Sequence, residues 1–301
     1  MMAQFKRIKR PISGVLLLDK PAGLSSNQAL QQVKRLFAAE KAGHTGSLDP
    51  FATGLLPLCM GEATKFSHFL LDADKTYEAT MQLGATSTTG DIEGEITGMG
   101  DVHITEAQAT AALQSFLGKI SQLPPMYSAL KHQGRALYEY ARAGVEIERA
   151  EREVVIHSLE LMAFEGTQMR IRVSCSKGTY IRTLAEDIGR ALGCGAYLTQ
   201  LRRTASGRFD LAEAVTIAQL EAMTLEQRDA SLLATDVLLQ ELPEIMLDEA
   251  SAHYFCNGQA VWKSGVGQTG YLRVYDAAQR FLGLGDAAGD GQVAPRRVVR
   301  Q

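Results

Sequence analysis

Long apolar runs are absent from this 301-residue sequence. No stretch approaches the roughly 18 residues that a membrane-spanning helix needs. The basic start of the chain is followed only by Val15–Leu18, an apolar run that is too short for the core of a signal peptide. We therefore predict a cytoplasmic protein that does not contact a membrane.

Cysteine is also scarce and scattered. Cys59, Cys175, Cys194 and Cys256 lie far apart, and no C-x-x-C pair is present. This pattern favours neither a zinc site nor a disulfide framework. With 46% hydrophobic and 22% charged residues, the composition is that of a globular protein, long enough for one large domain or two unequal ones.

Charge is unevenly distributed, although the net charge is only −3. Residues 170–208 contain eight basic and two acidic residues, a local net charge of +6, whereas residues 210–260 have a net charge of −9. Both ends of the chain are basic. Such segregation can build a positive face for nucleic acid on a nearly neutral protein, although single arginines can equally solvate the faces of strands.

The most informative motif is the run Gly43–Gly54, GHTGSLDPFATG. It holds one carboxylate, Asp49, in a loop that three glycines and a proline keep out of regular structure. An acid on such a water-facing turn can act as a nucleophile, a base or a metal ligand. A lone Asp-Pro pair, in contrast, usually marks only a turn.

The whole run resembles the catalytic loop of the TruB family of tRNA pseudouridine synthases, written G-H-[TG]-G-[ASTK]-L-D-P-x-A-T-G, and it matches every fixed position. Residues 19–25 resemble the other N-terminal motif of the family, Lys-Pro-x-Gly. In the family that segment packs against the catalytic loop, so the resemblance implies a supporting role for Lys20 and Pro21. The resemblance extends to about Arg203 and, more weakly, to Pro295.

The resemblance implies three catalytic side chains. Asp49 matches the nucleophile, and Arg182, in the run GTYIR, matches the arginine that pairs with it. Tyr77 matches the tyrosine that stacks on the target base and helps to remove the proton from its C5 atom. Without the resemblance, Tyr77 would be interpreted as a core aromatic on a strand, and Arg182 as a helix residue that faces water.

Three further positions match residues that contact the base or the RNA in the family. Tyr180 and Leu201 match residues that line the uracil pocket. His44 matches the histidine that inserts into the RNA and fills the space left by flipped bases, although a loop histidine is more often simply exposed. Isomerisation of uridine oxidises nothing and imports no group, so we expect no cofactor and no metal.

The resemblance also implies the fold, an α/β (α+β) pseudouridine synthase fold with a mixed, largely antiparallel sheet and flanking helices. We assign residues 1–243 to the catalytic domain. Its segment at about 124–152 is interpreted as an RNA-binding insertion, with a solvated helical hairpin as the alternative. Short alternating runs with turn residues indicate a small all-β unit over residues 244–301, whose order resembles an RNA-binding PUA domain.

Local patterns predict the main elements. Alternation predicts strands at 77–83, 154–164 and 169–175. Capping signals predict helices that start at Ser25 or Ser26, at Thr105 with an end at Gly118, at Thr179 with an end at Gly193, and at Thr216. One more helix is expected near residues 63–71.

The expected function is the conversion of uridine 55 in the T-loop of tRNA to pseudouridine, by a monomer whose partner is tRNA. Two alternatives are a guide-RNA-dependent synthase of the dyskerin type and a non-catalytic tRNA-folding protein. Intact Asp49, Tyr77 and Arg182 argue against the second of these. A metal-dependent hydrolase that uses His44 and Asp49 is disfavoured, because neither another histidine nor a second carboxylate lies nearby.

Overall fold

The computed structural model describes residues 9–300 of the chain. Residues 1–8 and Gln301 lie outside the described residues, and with them most of the basic N-terminal segment. Within residues 9–300 we find no helix that is both long enough and apolar enough to cross a membrane. The same residues contain no group of three or more His, Cys, Asp or Glu side chains that could hold a metal ion.

The strands in the described part of the chain form one large sheet, one five-stranded sheet and two small hairpins. In chain order they are β1 (Gly14–Lys20), β2 (Ala42–His44), β3 (Thr53–Met60), β4 (Lys75–Leu83), β5 (Ala85–Ser87), β6 (Ile96–Gly98), β7 (Gly118–Gln122), β8 (Lys131–His132), β9 (Arg135–Ala136), β10 (Arg152–Glu165), β11 (Gln168–Cys175), β12 (Ala196–Ser206), β13 (Phe209–Asp210), β14 (Val215–Thr216), β15 (Glu244–Met246), β16 (Val261–Trp262), β17 (Thr269–Tyr275), β18 (Phe281–Ala288) and β19 (Gln292–Val298).

The helices lie between these strands. The α-helices are α1 (Ser26–Leu36), α2 (Ser67–Leu71), α3 (Glu106–Gln114), α4 (Leu137–Arg142), α5 (Ile181–Ala191), α6 (Ile217–Ala222), α7 (Leu225–Ala230) and α8 (Glu249–Cys256). Three short 3₁₀ helices cover Gly61–Lys65, Leu211–Glu213 and Thr235–Leu239.

The large sheet is mixed and mostly antiparallel. Its strand order is β14-β1-β3-β12-β4-β11-β10-β7, with β2 paired to β3 and β13 paired to β12. The pairs β1–β14 and β3–β12 are parallel, and the other neighbours along this order are antiparallel. The predicted mixed sheet with flanking helices is therefore confirmed.

Alternation along β4 and β11 places the main core. Met169, Ile171 and Val173 are fully buried on one face of β11, and Ala79 and Met81 of β4 belong to the same cluster. The apolar stripe of α5 packs against β12. The alternating apolar residues of the strands and the apolar stripe of the helix thus pack together in one core.

Capping signals located the starts of helices better than their ends. Ser25, Thr105 and Thr216 each cap a helix with a complete capping box, as predicted. The helix after Thr105 ends at Gln114, however, and Gly118 begins β7 instead of ending the helix. The prediction was wrong there because Gly118, with φ +82°, is the first residue of a strand and does not end the helix.

Two other predicted helices differ in detail. The helix expected near residues 63–71 is divided into the 3₁₀ turn Gly61–Lys65 and the short α2. The helix expected to open at Thr179 begins at Ile181, with Tyr180 as its N-cap residue. This second shift matters, because it places Tyr180 and Arg182 at the very start of α5.

The C-terminal unit is a five-stranded sheet in the order β15-β17-β18-β19-β16. Its own core contains Leu247, Leu272, Val274 and Val293. Helix α8, capped by Asp248, packs on this sheet and was not predicted from the sequence. The β character expected for this unit is confirmed.

A second apolar cluster joins the C-terminal sheet to the larger one. Phe66 is fully buried against Phe281, with ring centroids 5.6 Å apart, and Leu239 and Leu284 belong to the same cluster. The Lys65 ammonium also donates a hydrogen bond to a carbonyl of β19 at 2.8 Å. Removing the C-terminal unit would expose this apolar surface, so its role is better tested by surface substitutions than by truncation.

The basic segment 170–208 does not form the unpaired positive face that its charge count suggested. Arg170 and Arg172 both contact Glu78, at 2.7 and 2.9 Å. Arg202 pairs with Asp19 at 2.7 Å. The fold brings acids from β4 and β1 next to these cations, which a count along the chain cannot show.

At Gly54 the strands β3 and β12 approach each other closely. Its φ is +100°, and a Cβ atom there would lie 2.3 Å from the carbonyl oxygen of Arg203. The parallel register pairs these two residues directly. Only glycine combines this backbone conformation with so close an approach of a neighbouring strand.

We expect Gly54→Ala to lower the free energy of unfolding by about 2 kcal/mol or more, because the new Cβ atom meets backbone and the left-handed φ disfavours it. Urea denaturation followed by circular dichroism measures the change. Gly43→Ala is the matched control, since nothing lies within 4 Å of its added Cβ atom. Equal midpoints for the two variants would contradict the prediction.

Candidate active site

One open cleft of about 1160 Å³ lies over the middle of the large sheet. Six of the eight site residues predicted from the sequence line it, namely His44, Asp49, Tyr77, Tyr180, Leu201 and Arg182. The other two, Lys20 and Pro21, lie next to the loop that carries Asp49. Residues from four distant parts of the chain therefore meet at one site.

Asp49 lies on the loop between β2 and β3. The amide of Leu48 donates a hydrogen bond to the Ser26 hydroxyl at 2.7 Å, and that hydroxyl donates to the Leu48 carbonyl at 3.0 Å. The amide of Ala52 donates to the Asp49 carbonyl at 3.1 Å. These bonds fix the backbone on both sides of the carboxylate, whose side chain remains 37% exposed towards the cleft.

Lys20 supports this loop from below. Its side chain is fully buried, and its ammonium donates to the carbonyls of Pro21, Leu24 and Pro50 at 2.8, 2.6 and 3.4 Å. Burial lowers the pKa of Lys20 to about 8, against the opposing charge of Asp49. The Lys-Pro segment and the Asp49 loop are thus joined through one cation.

Arg182 reaches Asp49 from the first turn of α5. Its Nε lies 3.0 Å from one carboxylate oxygen, and one Nη lies 3.5 Å from the other. Arg182 is only 4% exposed, so it does not face water as a first-turn helix residue otherwise would. Burial raises the pKa of Asp49 above its ordinary value, and the charge of Arg182 opposes that rise.

The remaining donors of Arg182 are also satisfied. One Nη donates to the Thr89 carbonyl at 2.9 Å and lies 3.4 Å from the Asp91 carboxylate, which is 2% exposed. The other Nη donates to the Tyr127 carbonyl at 2.6 Å. A planar fork held at this many points has one orientation, which lysine could not reproduce.

Tyr77 and Leu201 form the apolar side of the cleft. They lie on the neighbouring strands β4 and β12, and Leu201 is buried. Burial raises the pKa of Tyr77, while Arg203 opposes the rise through its charge and a hydrogen bond. The Tyr77 side chain packs on the main core and also lines the cleft.

Tyr180 is held in place by its backbone. Its amide donates to the side-chain oxygen of Gln122 at 3.0 Å, and the Gln122 amide donates back to the Tyr180 carbonyl at 3.2 Å. The guanidinium of Arg152 lies 4.6 Å from the centre of the Tyr180 ring. This ring therefore faces a cation, at a distance typical of a cation–π contact.

His44 lies at the end of β2, on the rim of the same cleft. It is half-buried rather than freely exposed, and its Nδ1 is buried without a hydrogen-bond partner among the described residues. Burial lowers the pKa of His44, and the charge of Arg203 lowers it further. The imidazole is therefore neutral at physiological pH.

The chain matches known proteins over nearly its whole length. Residues 34–181 match the TruB family pseudouridylate synthase (N terminal domain), residues 182–245 the tRNA pseudouridylate synthase B C-terminal domain, and residues 243–299 the C-terminal domain of pseudouridine synthase II TruB. The tRNA pseudouridine synthase B of Methylobacillus flagellatus is 60% identical over 298 residues, 99% of each chain. This chain belongs to the TruB family of pseudouridine synthases. The protein of the same name from Nitrosospira multiformis is 57% identical over 305 residues, 97% of each chain.

The TruB-family fold is also found in a solved structure of an H/ACA RNP bound to a substrate RNA containing 2'-deoxyuridine. The TM-score is 0.71 and the identity 24%, with 96% of this chain and 85% of that chain covered. At this identity the likeness concerns the fold alone. It confirms the predicted fold class, including the PUA-like C-terminal unit.

Two site residues of this TruB-family chain were not assigned from its sequence. Asp91 stands in a Gly- and Thr-rich loop whose sequence indicates no role for it, and Arg203 is one of the eight basic residues of segment 170–208. Both are almost fully buried and line the cleft. An acid in a loop of small residues gives no sign of its distant partner, so the sequence alone could not place either of them.

Replacing Arg182 by glutamine should raise the pKa of Asp49 further, because Arg182 supplies the largest charge that opposes the effect of burial. Carbon-13 NMR of the side-chain carboxyl groups across a pH titration measures this pKa. Arg190→Gln, which removes a surface pair with Asp187, should leave it unchanged. A pKa of Asp49 that stays constant or falls in Arg182→Gln would show that the ion pair does not govern its ionisation.

Proposed function

We propose that this TruB-family enzyme isomerises uridine 55 in the T-loop of tRNA to pseudouridine, with Asp49 as the nucleophile. One observation carries the proposal: the Asp49 carboxylate, partly exposed to the cleft, is paired at 3.0 Å with a buried arginine, and Tyr77 and Tyr180 line the same cleft. The identity of up to 60% to tRNA pseudouridine synthases B, over the whole chain, supports tRNA as the substrate.

The target base must first leave the RNA stack. Flipping a base costs a few kcal/mol, and stacking on an aromatic ring returns about 1–3 kcal/mol. The Tyr77 ring supplies such a surface, with Leu201 beside it and Tyr180 across the cleft. His44, neutral and at the rim, is placed to fill the space that the flipped base leaves in the RNA.

Covalent catalysis by Asp49 then divides one difficult step into easier ones. The carboxylate attacks the substrate, the N-glycosidic bond breaks, and the base turns within the cleft. A bond forms between the sugar and C5, the bond between Asp49 and the substrate breaks, and the C5 proton is lost while N1 gains one. No electron is gained or lost and no group is imported, so the reaction needs only the side chains described.

Arg182 keeps the nucleophile ionised. Burial alone would favour the protonated form of Asp49, which cannot attack. The guanidinium offsets this effect and also fixes the direction of the carboxylate. The pKa of Asp49 nevertheless stays above that of an ordinary aspartate. As the pH is lowered, Asp49 should therefore become protonated, and turnover should decline, at a higher pH than for an enzyme with an ordinary aspartate.

We further propose how the chain divides this work. Residues 1–243 form the catalytic domain, the segment at about 124–152 is an insertion that contacts RNA, and residues 244–301 form a PUA-like domain that adds affinity for tRNA. Tyr138 is exposed on α4 with the Arg142 guanidinium 5.3 Å from its ring centre, which suits contact with an unpaired base. The enzyme acts as a monomer in the cytoplasm.

A guide-RNA-dependent synthase is the second candidate, because the H/ACA RNP structure shares the fold. A non-catalytic tRNA-folding protein is the third. Tritium release from C5-labelled tRNA, measured with and without added guide RNA, separates the three. We expect release from bare tRNA; release only with guide RNA would favour the second, and binding without release the third.

Asp49→Asn should lower turnover by at least about a thousandfold while tRNA affinity changes only a few-fold, since the amide keeps the shape and loses the nucleophile. Single-turnover assays and filter binding measure the two quantities. Asp101→Asn is the control, because Asp101 is exposed and lies outside the cleft. Appreciable turnover in Asp49→Asn would remove Asp49 from the nucleophile role.

Tyr77→Phe should bind tRNA and complete the glycosidic step but fail to release product. Phenylalanine keeps the stacking face and its roughly 1–3 kcal/mol, yet lacks the hydroxyl that can accept the C5 proton. Quenched reactions should therefore contain a rearranged nucleotide that still carries hydrogen at C5. Wild-type rates in Tyr77→Phe would restrict Tyr77 to stacking and core packing.

A further inference from the structure

Arg203 places a positive charge inside the protein without a carboxylate to neutralise it. The residue is 1% exposed, and within residues 9–300 no carboxylate oxygen lies within 4.0 Å of its guanidinium. Buried charges are normally paired with an opposite charge. The other buried arginine at this site, Arg182, faces two aspartates. Arg203 therefore stands out.

The neighbours of Arg203 are themselves basic. Burial, together with the charge of Arg203, lowers the pKa of Lys75 to about 8, and the same charge acts on Lys20 and His44. Lys75 lines the cleft beside Tyr77. This side of the cleft is thus an electropositive environment, which favours any group that becomes negative during the reaction.

The contacts of Arg203 indicate which group that is. Its Nε donates to the Leu55 carbonyl at 2.7 Å, and one Nη donates to the Gly46 carbonyl at 3.4 Å. Tyr77 lies directly opposite Arg203 in the register of β4 and β12, and the charge of Arg203 and a hydrogen bond from it lower the pKa of the Tyr77 phenol. Arg203 thus holds both ends of the Asp49 loop and faces Tyr77 from the neighbouring strand.

We propose that Arg203 is a positioning residue for proton removal: it aims the Tyr77 oxygen at C5 of the rearranged base and stabilises the negative charge on that oxygen. The inference rests on the proposed function. Tyr77 first loses its phenolic proton to water in the open cleft. The C5–H bond then breaks and its proton passes to the phenolate oxygen, the electron pair forms the double bond between C5 and C6, and the former N1–C6 double-bond pair moves to N1, which gains a proton from water.

The pH dependence of this step should reflect Tyr77. Burial raises its pKa, and the groups that face it are Arg203 from β12, Cys175 from β11 and Asp49 from its loop. Arg203 lowers the pKa of Tyr77, whereas the other two raise it. The rate of proton removal rises with pH as the phenol ionises, which gives the pH–rate profile a rising limb. Loss of Arg203 raises the pKa of Tyr77 and should therefore move this rising limb to higher pH.

The decisive experiment is a double-mutant cycle in the full-length protein. Arg203→Met is made alone and in Tyr77→Phe, and tritium release from C5-labelled tRNA is followed in single turnovers. Alone, the change should slow release by about 10- to 100-fold, the value of a hydrogen bond to a charged group. In Tyr77→Phe, whose slow residual release is followed over long incubations, it should alter release by no more than about twofold.

An equal loss in both backgrounds would overturn the inference, because Arg203 would then act only by bracing the loop at Gly46 and Leu55. A rising limb that does not move in Arg203→Met would overturn it too. Absence of tritium release by the unaltered protein would instead reject the proposed function itself.

Two further variants keep the test conclusive. If thermal unfolding shows that Arg203→Met does not fold, Arg203→Lys enters the same cycle, since it keeps the charge but loses the fork. A loss of rate that occurs only when Tyr77 is intact supports the inference. An equal loss with Tyr77 intact and in Tyr77→Phe rejects it. Arg208→Met removes an exposed arginine just beyond β12 and should not change the rate at saturating tRNA.

Discussion

A single buried guanidinium joins three segments that are far apart in the chain. Arg182 contacts Asp49 on the loop after β2, Thr89 and Asp91 on the loop after β5, and the Tyr127 carbonyl at the base of the 124–152 segment. Each contact satisfies a donor that would otherwise be buried without a partner. The orientation of the carboxylate therefore depends on the position of all three segments, and the site is complete only when the whole sheet is folded.

The sheet supplies the rigidity that this arrangement needs. Strand β3 leaves the Asp49 loop and runs parallel to β12, so close that Gly54 can carry no side chain. Lys20 fixes the other side of the loop from within β1. A loop held by strands on both sides has little freedom, which suits the proposed nucleophile, since its carboxylate stays at one place.

Charge inside the cleft is divided into two halves. Around Asp49 the acids and bases balance, because Arg182 and the buried Lys20 offset the carboxylates of Asp49 and Asp91. Around Tyr77 they do not, because Arg203 and Lys75 have no buried acid of their own within the described residues. A nucleophilic carboxylate must stay ionised before it attacks, whereas a phenol must lose its proton, and so become negative, before it can accept another. The two halves suit these two demands.

Much of this protein follows from the sequence alone. The Gly43–Gly54 run indicated the family, alternation located the strands, and capping boxes located the starts of α1, α3 and α6, because these signals depend on neighbouring residues. Tertiary structure decided the rest. It pairs Arg170 and Arg172 with Glu78, buries Asp91 beside Arg182, and sets Arg203 opposite Tyr77. Such contacts join residues that are distant in the chain, and only the register of the sheet brings them together.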